Sequence, residues 1–157
     1  MVTKDGGGLE KTGKLAFEYD DLGRVVKQTR TIDGQDYVVE KAFDAAGYLR
    51  GIKYPDGDIV GGFGGYGSNL TYDQAGRLSS IPGILTSVTY NALGAPLVQS
   101  NANLTTTTKG YDANRLWLTD IDTTGPNPTI LQDLHYTMNA AGMAMGVDSN
   151  IPGEDWA

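Results

Sequence analysis

A seven-residue motif recurs along the chain and constrains its fold more than any other feature of the sequence. Its clearest copies are Tyr-Asp-Asp-Leu-Gly-Arg-Val from Tyr19 and Tyr-Asp-Gln-Ala-Gly-Arg-Leu from Tyr72, and weaker copies begin at Phe43, Tyr90, Tyr111 and Met138. Consecutive copies begin 24, 29, 18, 21 and 27 residues apart. A helical repeat keeps a constant length because each unit packs on its neighbour in fixed register, whereas β-hairpins can vary in length. The uneven spacing therefore predicts a series of β-hairpins.

Each position of the motif suits a tight hairpin turn. The residues before the first copy alternate apolar Leu15 and Phe17 with polar neighbours, as in a half-buried strand. The Asp or Asn after the aromatic accepts hydrogen bonds from backbone N–H groups two residues on, and the Gly takes the positive φ of a bulged hairpin loop. The motif therefore predicts strand, turn and strand. Its residues are Tyr19, Asp20, Gly23, Arg24, Phe43, Asp44, Gly47, Tyr72, Asp73, Gly76, Arg77, Tyr90, Asn91, Gly94, Tyr111, Asp112 and Arg115.

The weaker copies depart from this pattern at the arginine and glycine positions. Tyr48, Ala95 and Met143 replace the arginine. The copy at Tyr111 is one residue short, with Asn114 in place of the glycine, and we expect Asn114 to take the left-handed conformation that Asn tolerates. We expect the aromatic residues to be packing anchors and the arginines to bridge neighbouring hairpins, with the turn carboxylates as candidate partners. Exposed ion pairs of this kind contribute up to about 1 kcal/mol each.

The rest of the sequence predicts an all-β chain without helices. We divide it into a flexible Gly-rich lead-in (1–13), an array of about six degenerate repeats (14–148) and a C-terminal tail (149–157). Asp33 and Gly34 predict a short turn between a strand at about 25–32 and a strand at about 37–43. The four consecutive threonines at 105–108 predict a strand from Asn103 to Tyr111, because β-branched residues favour strands. The Gly-rich stretch 61–67 favours a bulged or closely packed segment over a mobile loop.

The repeated motif resembles the YD repeat of RHS proteins, toxin-complex components and teneurins, over about residues 14 to 148. The resemblance implies consecutive antiparallel hairpins that form a curved or spiralling sheet, part of a hollow shell that in bacterial members encloses a toxic C-terminal segment. It implies a structural, non-catalytic role, an enclosed toxin or effector cargo, and a parent protein that is secreted, displayed on the cell surface or delivered as an effector. The sequence has no match to the plug motif that follows the repeats in bacterial members, and no toxin domain, so we expect a piece of a shell.

Composition excludes several classes of function. The net charge of −7 argues against non-specific binding to nucleic acid or to anionic membranes. No run approaches the roughly 18 apolar residues of a membrane span, and the first 14 residues show no signal peptide or other targeting signal. The chain has no Cys, which excludes disulfides and thiol chemistry.

No catalytic, cofactor-binding or metal-binding residues are predicted, and no cofactor is expected. His135, the only histidine, has no Cys or Ser nucleophile motif near it in sequence and is interpreted as a sheet-surface residue. Asp56 and Asp58 provide too few oxygens for Ca²⁺. The segment 62–67 is close to G-x-G-x-x-G but no helix follows it.

Two other functions remain open from the sequence. Exposed Tyr side chains, Trp117 and Trp156 could bind a glycan or a protein partner in an extracellular adhesion module. A hydrolytic enzyme that uses His135 is the third hypothesis. In the shell hypothesis the partners are neighbouring repeats of a larger parent chain. An isolated ribbon would instead self-associate through its open sheet edges or close those edges itself.

Overall fold

Strands joined by tight turns make up the described part of the chain. The structure is a computed structural model that describes residues 2–4, 10–127 and 129–152, and it contains no helix among them. The strands are β1 (Val2–Lys4), β2 (Glu10–Tyr19), β3 (Val25–Ile32), β4 (Gln35–Phe43), β5 (Leu49–Lys53), β6 (Ile59–Gly61), β7 (Thr71–Tyr72), β8 (Leu78–Ser80), β9 (Leu85–Tyr90), β10 (Pro96–Asn101), β11 (Thr106–Tyr111), β12 (Leu118–Thr124), β13 (Ile130–Met138) and β14 (Ala144–Asp148). The all-β prediction is confirmed.

The strands pair with their neighbours in sequence. The chain divides into two compact units, Met1–Thr71 and Tyr72–Ala157. The first contains a six-stranded antiparallel sheet in the order β1 to β6, and the second contains one in the order β14 to β9. The short strands β7 and β8 form a two-stranded sheet. The predicted ribbon of consecutive antiparallel hairpins is therefore confirmed.

The turn between β3 and β4 shows how the sequence sets the register of a hairpin. Ile32 pairs with Gln35, so only two residues form the loop. Those residues, Asp33 and Gly34, have φ values of 52° and 80°. Two consecutive positive φ values define the type I′ turn, whose twist matches that of the flanking strands.

The Gly-rich segment after β5 is closely packed, as favoured from the sequence. The backbone N–H groups of Gly62 and Leu70 both donate to the carbonyl of Arg50, at 3.0 Å each. A Cβ atom built on Gly51 would lie 2.6 Å from the carbonyl oxygen of Gly62, and Gly61 has a φ of 81°. Glycine is required here because two backbone segments touch where any side chain would stand.

A conventional hydrophobic core is almost absent from the part of the chain that the structure describes. Leu85 is its only buried hydrophobic side chain. Leu15, Phe17 and Tyr19 on β2 are 54%, 43% and 60% exposed. Ladder hydrogen bonds and contacts at the turns therefore hold the hairpins together to an unusual degree, and much apolar surface remains accessible.

The predicted division into lead-in, repeat array and tail stays a prediction. Strand β1 and the beginning of β2 fall within the proposed lead-in, and their residues pair from Val2 with Thr12 to Lys4 with Glu10. Residues 5–9, and residues 153–157 of the proposed tail, lie outside the described residues. A search of the described residues finds no helix of the length and apolarity that crossing a membrane requires.

Candidate functional site

The repeated motif forms one five-residue turn. In its first copy the backbone N–H of Gly23 donates to the carbonyl of Asp20 at 2.9 Å, and the N–H of Asp20 donates to the carbonyl of Arg24 at 3.0 Å. Asp20 Oδ1 accepts from the N–H groups of Leu22 and Arg24, at 3.0 and 2.9 Å. Gly23 has a φ of 76°, as the turn requires. The aspartate therefore caps the backbone of its own turn.

Other copies repeat these bonds. In each, the backbone N–H of the residue three positions after the Asp or Asn donates to the carbonyl of that Asp or Asn. The N–H of the Asp or Asn in turn donates to the carbonyl of the residue four positions on. The copies begin at Asp44, Asp73, Asn91 and Asn139. The capping oxygen is a carboxylate in two of these copies and an amide in the other two, so the turn needs a side-chain acceptor rather than a negative charge.

One further turn of this form was missed in the sequence. A strand was predicted from Asn103, but β11 begins at Thr106. Asn101 opens a turn in which its N–H donates to the carbonyl of Thr105, and Leu104 takes a φ of 66° in place of glycine. The β-branched threonines favoured a strand, and no glycine marked the turn.

Two motif arginines pair with the carboxylate of their own turn. Arg24 Nε donates to Asp20 Oδ2 and Arg77 Nε donates to Asp73 Oδ2, both at 2.7 Å. The backbone N–H of Arg24 lowers the pKa of Asp20 most, and the guanidinium of Arg77 lowers the pKa of Asp73 most. The ion pairs are therefore internal to a turn, whereas we expected them between hairpins.

The same guanidinium groups reach the next hairpin through other contacts. Arg24 lies over the ring of Phe43, 4.7 Å from its centroid, and its Nη1 donates to the carbonyl of Asp44 at 3.3 Å. Arg77 lies 4.6 Å from the Tyr90 centroid, and its Nη1 donates to the carbonyl of Asn91 at 3.1 Å. We call this pair of contacts the arginine bridge. It combines a cation–π interaction with a charge-assisted hydrogen bond.

Tyrosine hydroxyls form a second connection, in the opposite direction along the chain. Tyr90 donates to the carbonyl of Leu78 at 2.7 Å, and Tyr111 donates to the carbonyl of Pro96 at 2.9 Å. Both acceptors lie six residues after the aromatic residue of the preceding copy. Phe43 occupies the same position without a hydroxyl.

The copy at Tyr111 corrects the prediction made for it. The N–H of Asp112 donates to the carbonyl of Trp117, one residue further on than in the other copies, so the turn is one residue longer rather than shorter. Leu116, with a φ of 60°, occupies the glycine position, and Asn114 is not left-handed. Arg115 consequently lies inside the loop. It stacks 4.7 Å from the Trp117 centroid and donates to the carbonyl of Ala140 at 3.2 Å.

Trp117 is half-buried, and its ring already makes two close contacts. The Arg115 guanidinium lies over it, and Gly142 packs so closely that an added Cβ would come 2.8 Å from Cζ2. The other tryptophan, Trp156, lies outside the described residues. The capping side chains Asp20, Asp44, Asp73 and Asp112 each bond the backbone of their own turn and do not form a paired-carboxylate site.

His135 has acidic partners that the sequence analysis missed. Its Nδ1 lies 2.7 Å from Asp120 Oδ1 and its Nε2 lies 2.8 Å from Asp133 Oδ1. The bond to Asp120 is the largest cause of a raised pKa for His135. Asp122 pairs with Asp133 across the same two strands. The alternation of Asp120 with Asp122, and of Asp133 with His135, was the signal available in the sequence.

Solved structures share this fold. The chain is similar to the crystal structure of TcdB2-TccC3-Cdc42, with 24% identity and a TM-score of 0.74, over 88% of this chain and 8% of that one. It is similar to the Photorhabdus luminescens Tc holotoxin pore, with 24% identity and a TM-score of 0.75, over 89% of this chain and 8% of that one. TcdB2-TccC3 without its hypervariable C-terminal region matches with 23% identity and a TM-score of 0.76, over 89% and 8%.

The chain has the fold of these toxin-complex structures. The resemblance drawn from the motif is confirmed at the level of the fold. The chain spans less than a tenth of the length of the chains that it matches. No protein-family model and no curated protein matches the sequence.

Proposed function

We propose that this chain is a non-catalytic structural segment of a toxin-complex type shell, and that the shell encloses a toxin or effector cargo. The observation that supports this most directly is the near absence of a buried core among the described residues, together with the toxin-complex fold. A chain that buries so little apolar surface by itself suits a wall that is completed by further repeats. In this proposal the parent protein is secreted or delivered.

The contacts between consecutive hairpins suit a continuous wall. The arginine bridge and the tyrosine hydroxyl bonds connect consecutive hairpins without using residues from elsewhere in the chain. Function would come from exclusion, because a hydrogen-bonded sheet separates the enclosed segment from proteases and solvent. No reactive side chain is needed for that role.

The test begins with the complete reading frame that contains these residues. We expect further YD repeats and an unrelated C-terminal segment in the encoded protein. Purified whole protein should protect that segment from added protease, and the cut sites should be found by mass spectrometry. A frame without further repeats, or a C-terminal segment cut as fast as it is in isolation, would refute the shell.

A variant of the arginine bridge tests whether the sheet itself, rather than simple burial, protects the cargo. Arg77→Met removes the ion pair and the bridge to Tyr90 while it keeps an apolar side chain of similar length. We expect faster digestion of the enclosed segment in this variant. Tyr37→Phe is the control, because Tyr37 is 46% exposed and its hydroxyl has no hydrogen-bond partner among the described residues.

The isolated chain offers a second test. Its exposed apolar residues and terminal sheet strands should drive self-association, since open strand edges pair with other chains. Sedimentation velocity across a hundredfold range of concentration should show growing assemblies. A concentration-independent monomer that leaves its sheet edges unprotected would count against a segment that needs neighbours.

A further inference from the structure

One face of the hairpin formed by β12 and β13 gathers metal-binding side chains. Asp120 is the cross-strand partner of His135, and Asp122 is the cross-strand partner of Asp133. Directly opposed residues in an antiparallel sheet have Cβ atoms about 5 Å apart and project from the same face. The two rows therefore place three carboxylates and the only imidazole of the chain side by side.

The distances allow three of these groups to bind one ion. Donor atoms of Asp122, Asp133 and His135 all lie within 4.8 Å of one another. A tetrahedral ion with bonds of about 2.0–2.2 Å holds its donors roughly 3.3–3.6 Å apart. Small side-chain rotations would bring the three donor atoms to these separations, because all three residues belong to paired strands.

The imidazole is already oriented as a metal ligand requires. Asp120 Oδ1, at 2.7 Å from Nδ1, can accept the proton on that nitrogen and leaves Nε2 directed at Asp133. A carboxylate on the far nitrogen is the usual second partner of a metal-bound histidine, since it fixes the tautomer and the ring. Asn150 closes the cluster, with its Nδ2 2.8 Å from Asp133 Oδ2 and 3.3 Å from His135 Nε2.

The charge on this face is not balanced by lysine or arginine. In the described ranges, no lysine or arginine forms an ion pair with Asp120, Asp122 or Asp133, and the partner of Asp120 and Asp133 is His135, which is charged only when it is protonated. Asp122 and Asp133 are directly opposed across the two strands, so two like charges face each other there. A divalent cation between the two carboxylates would remove that repulsion.

We propose that Asp122, Asp133 and Nε2 of His135 bind a zinc-type divalent ion, with Asp120 as a positioning residue. One nitrogen and two oxygen donors suit Zn²⁺, which prefers four ligands, whereas Ca²⁺ takes six to eight oxygens. The ion links neighbouring strands and stabilises this hairpin because it binds only the folded state. The site is independent of the proposed shell function.

The test is a titration of the full chain, without a histidine tag, with ZnCl₂. Calorimetry should show a single saturable site. Because the chain has one histidine, the imidazole ¹H and ¹⁵N resonances report His135 without ambiguity and should shift with the same saturation. Ca²⁺ and Mg²⁺ should not produce that shift at equal concentration.

Variants assign the ligands. Asp122→Asn and His135→Gln should each weaken binding at least about tenfold, and Asp120→Asn should weaken it by about 10- to 100-fold, the usual cost of losing such a partner. Asp58→Asn is the control, since this turn carboxylate lies in the other unit and should leave the affinity unchanged. Circular dichroism should establish that each variant is folded.

Two results would overturn the site. Either the imidazole resonances of the unmodified chain do not respond to Zn²⁺, or the binding isotherm is the same in Asp122→Asn and His135→Gln as in the unmodified chain. The first result decides the matter even if a variant fails to fold.

Discussion

The tyrosine hydroxyl bonds between hairpins give a prediction that can be tested in both directions. Tyr90→Phe removes the 2.7 Å bond to the carbonyl of Leu78 and leaves a ring for Arg77 to stack on. A net contribution of about 0.5–1.5 kcal/mol is typical of such a bond. The donor and acceptor are only partly buried. Water can therefore replace the lost partner, and we expect a loss of about 1 kcal/mol or less in the free energy of unfolding.

The reverse change should stabilise the chain. Phe43 occupies the same position in its copy, and the equivalent acceptor is the carbonyl of Val25, six residues after Tyr19. Phe43→Tyr adds the missing donor beneath the Arg24 guanidinium. We expect a gain of about 0.5–1 kcal/mol.

The assays follow from the two units. Both tryptophans lie in the second unit, so urea unfolding followed by tryptophan fluorescence measures Tyr90→Phe. Hydrogen exchange of peptides from β3 to β5 measures Phe43→Tyr in the first unit. Tyr136→Phe, in the same unit as Tyr90 and with no hydrogen-bond partner for its hydroxyl among the described residues, gives the baseline for loss of an unpaired hydroxyl. The hypothesis that tyrosine hydroxyl bonds stabilise the connection between hairpins is refuted if Tyr90→Phe matches this baseline and Phe43→Tyr slows no hydrogen exchange.

Three other predictions test the turns and the close packing. The Arg77 side chain is the main cause of the lowered pKa of Asp73. The stabilising effect of the Asp73 carboxylate is therefore present above the unfolded pKa of about 3.9 and is lost as the pH falls through the lower folded value. In urea unfolding from pH 6 to pH 2, Asp73→Asn should lose less stability than the unmodified chain, and an equal loss would contradict this. Leu116→Gly should stabilise the second unit by about 0.5–1 kcal/mol. A left-handed Leu costs about 1–2 kcal/mol, and Gly removes that cost but loses more conformational entropy on folding. Leu93→Gly, at an exposed loop position without positive φ, should show no gain in the same urea assay. Gly51→Ala should destabilise the first unit by about 1–3 kcal/mol because its Cβ would meet the backbone of Gly62; exchange of β5 and β6 peptides should accelerate, while Gly13→Ala, with open space around it, should leave them unchanged.

The hairpin turns could be predicted because their bonds are local. Asp20 caps N–H groups within four residues, so the motif contains every group that the turn needs. Strand β3 accordingly has the bounds expected from the sequence. Where leucine took the glycine position, at Leu104 and Leu116, the signal disappeared and the prediction was wrong. Residue preferences do not predict leucine with a positive φ, because an L-residue with a bulky side chain rarely adopts it.

Contacts between strands were harder to predict because they depend on register. The cluster at His135 requires Asp120 to lie opposite it, which is set by the loop between β12 and β13. Likewise, the arginine partners were expected to be carboxylates of neighbouring turns, whereas they are a carboxylate of the same turn and an aromatic ring of the next copy. The motif identifies these residues but not their partners.

The backbone acceptors of the hydrogen bonds between hairpins have an evolutionary consequence. The side chains of Arg24, Arg77 and Tyr90 all donate to backbone carbonyls of an adjacent hairpin. A carbonyl is present whatever residue carries it, so these hydrogen bonds do not restrict the receiving side chain, and Asp44 and Asn91 are restricted only by the capping of their own turns. Sequence drift should therefore leave few co-varying pairs across these hydrogen bonds. Homologues that share almost no sequence signal could still keep the same hydrogen-bond connections between hairpins.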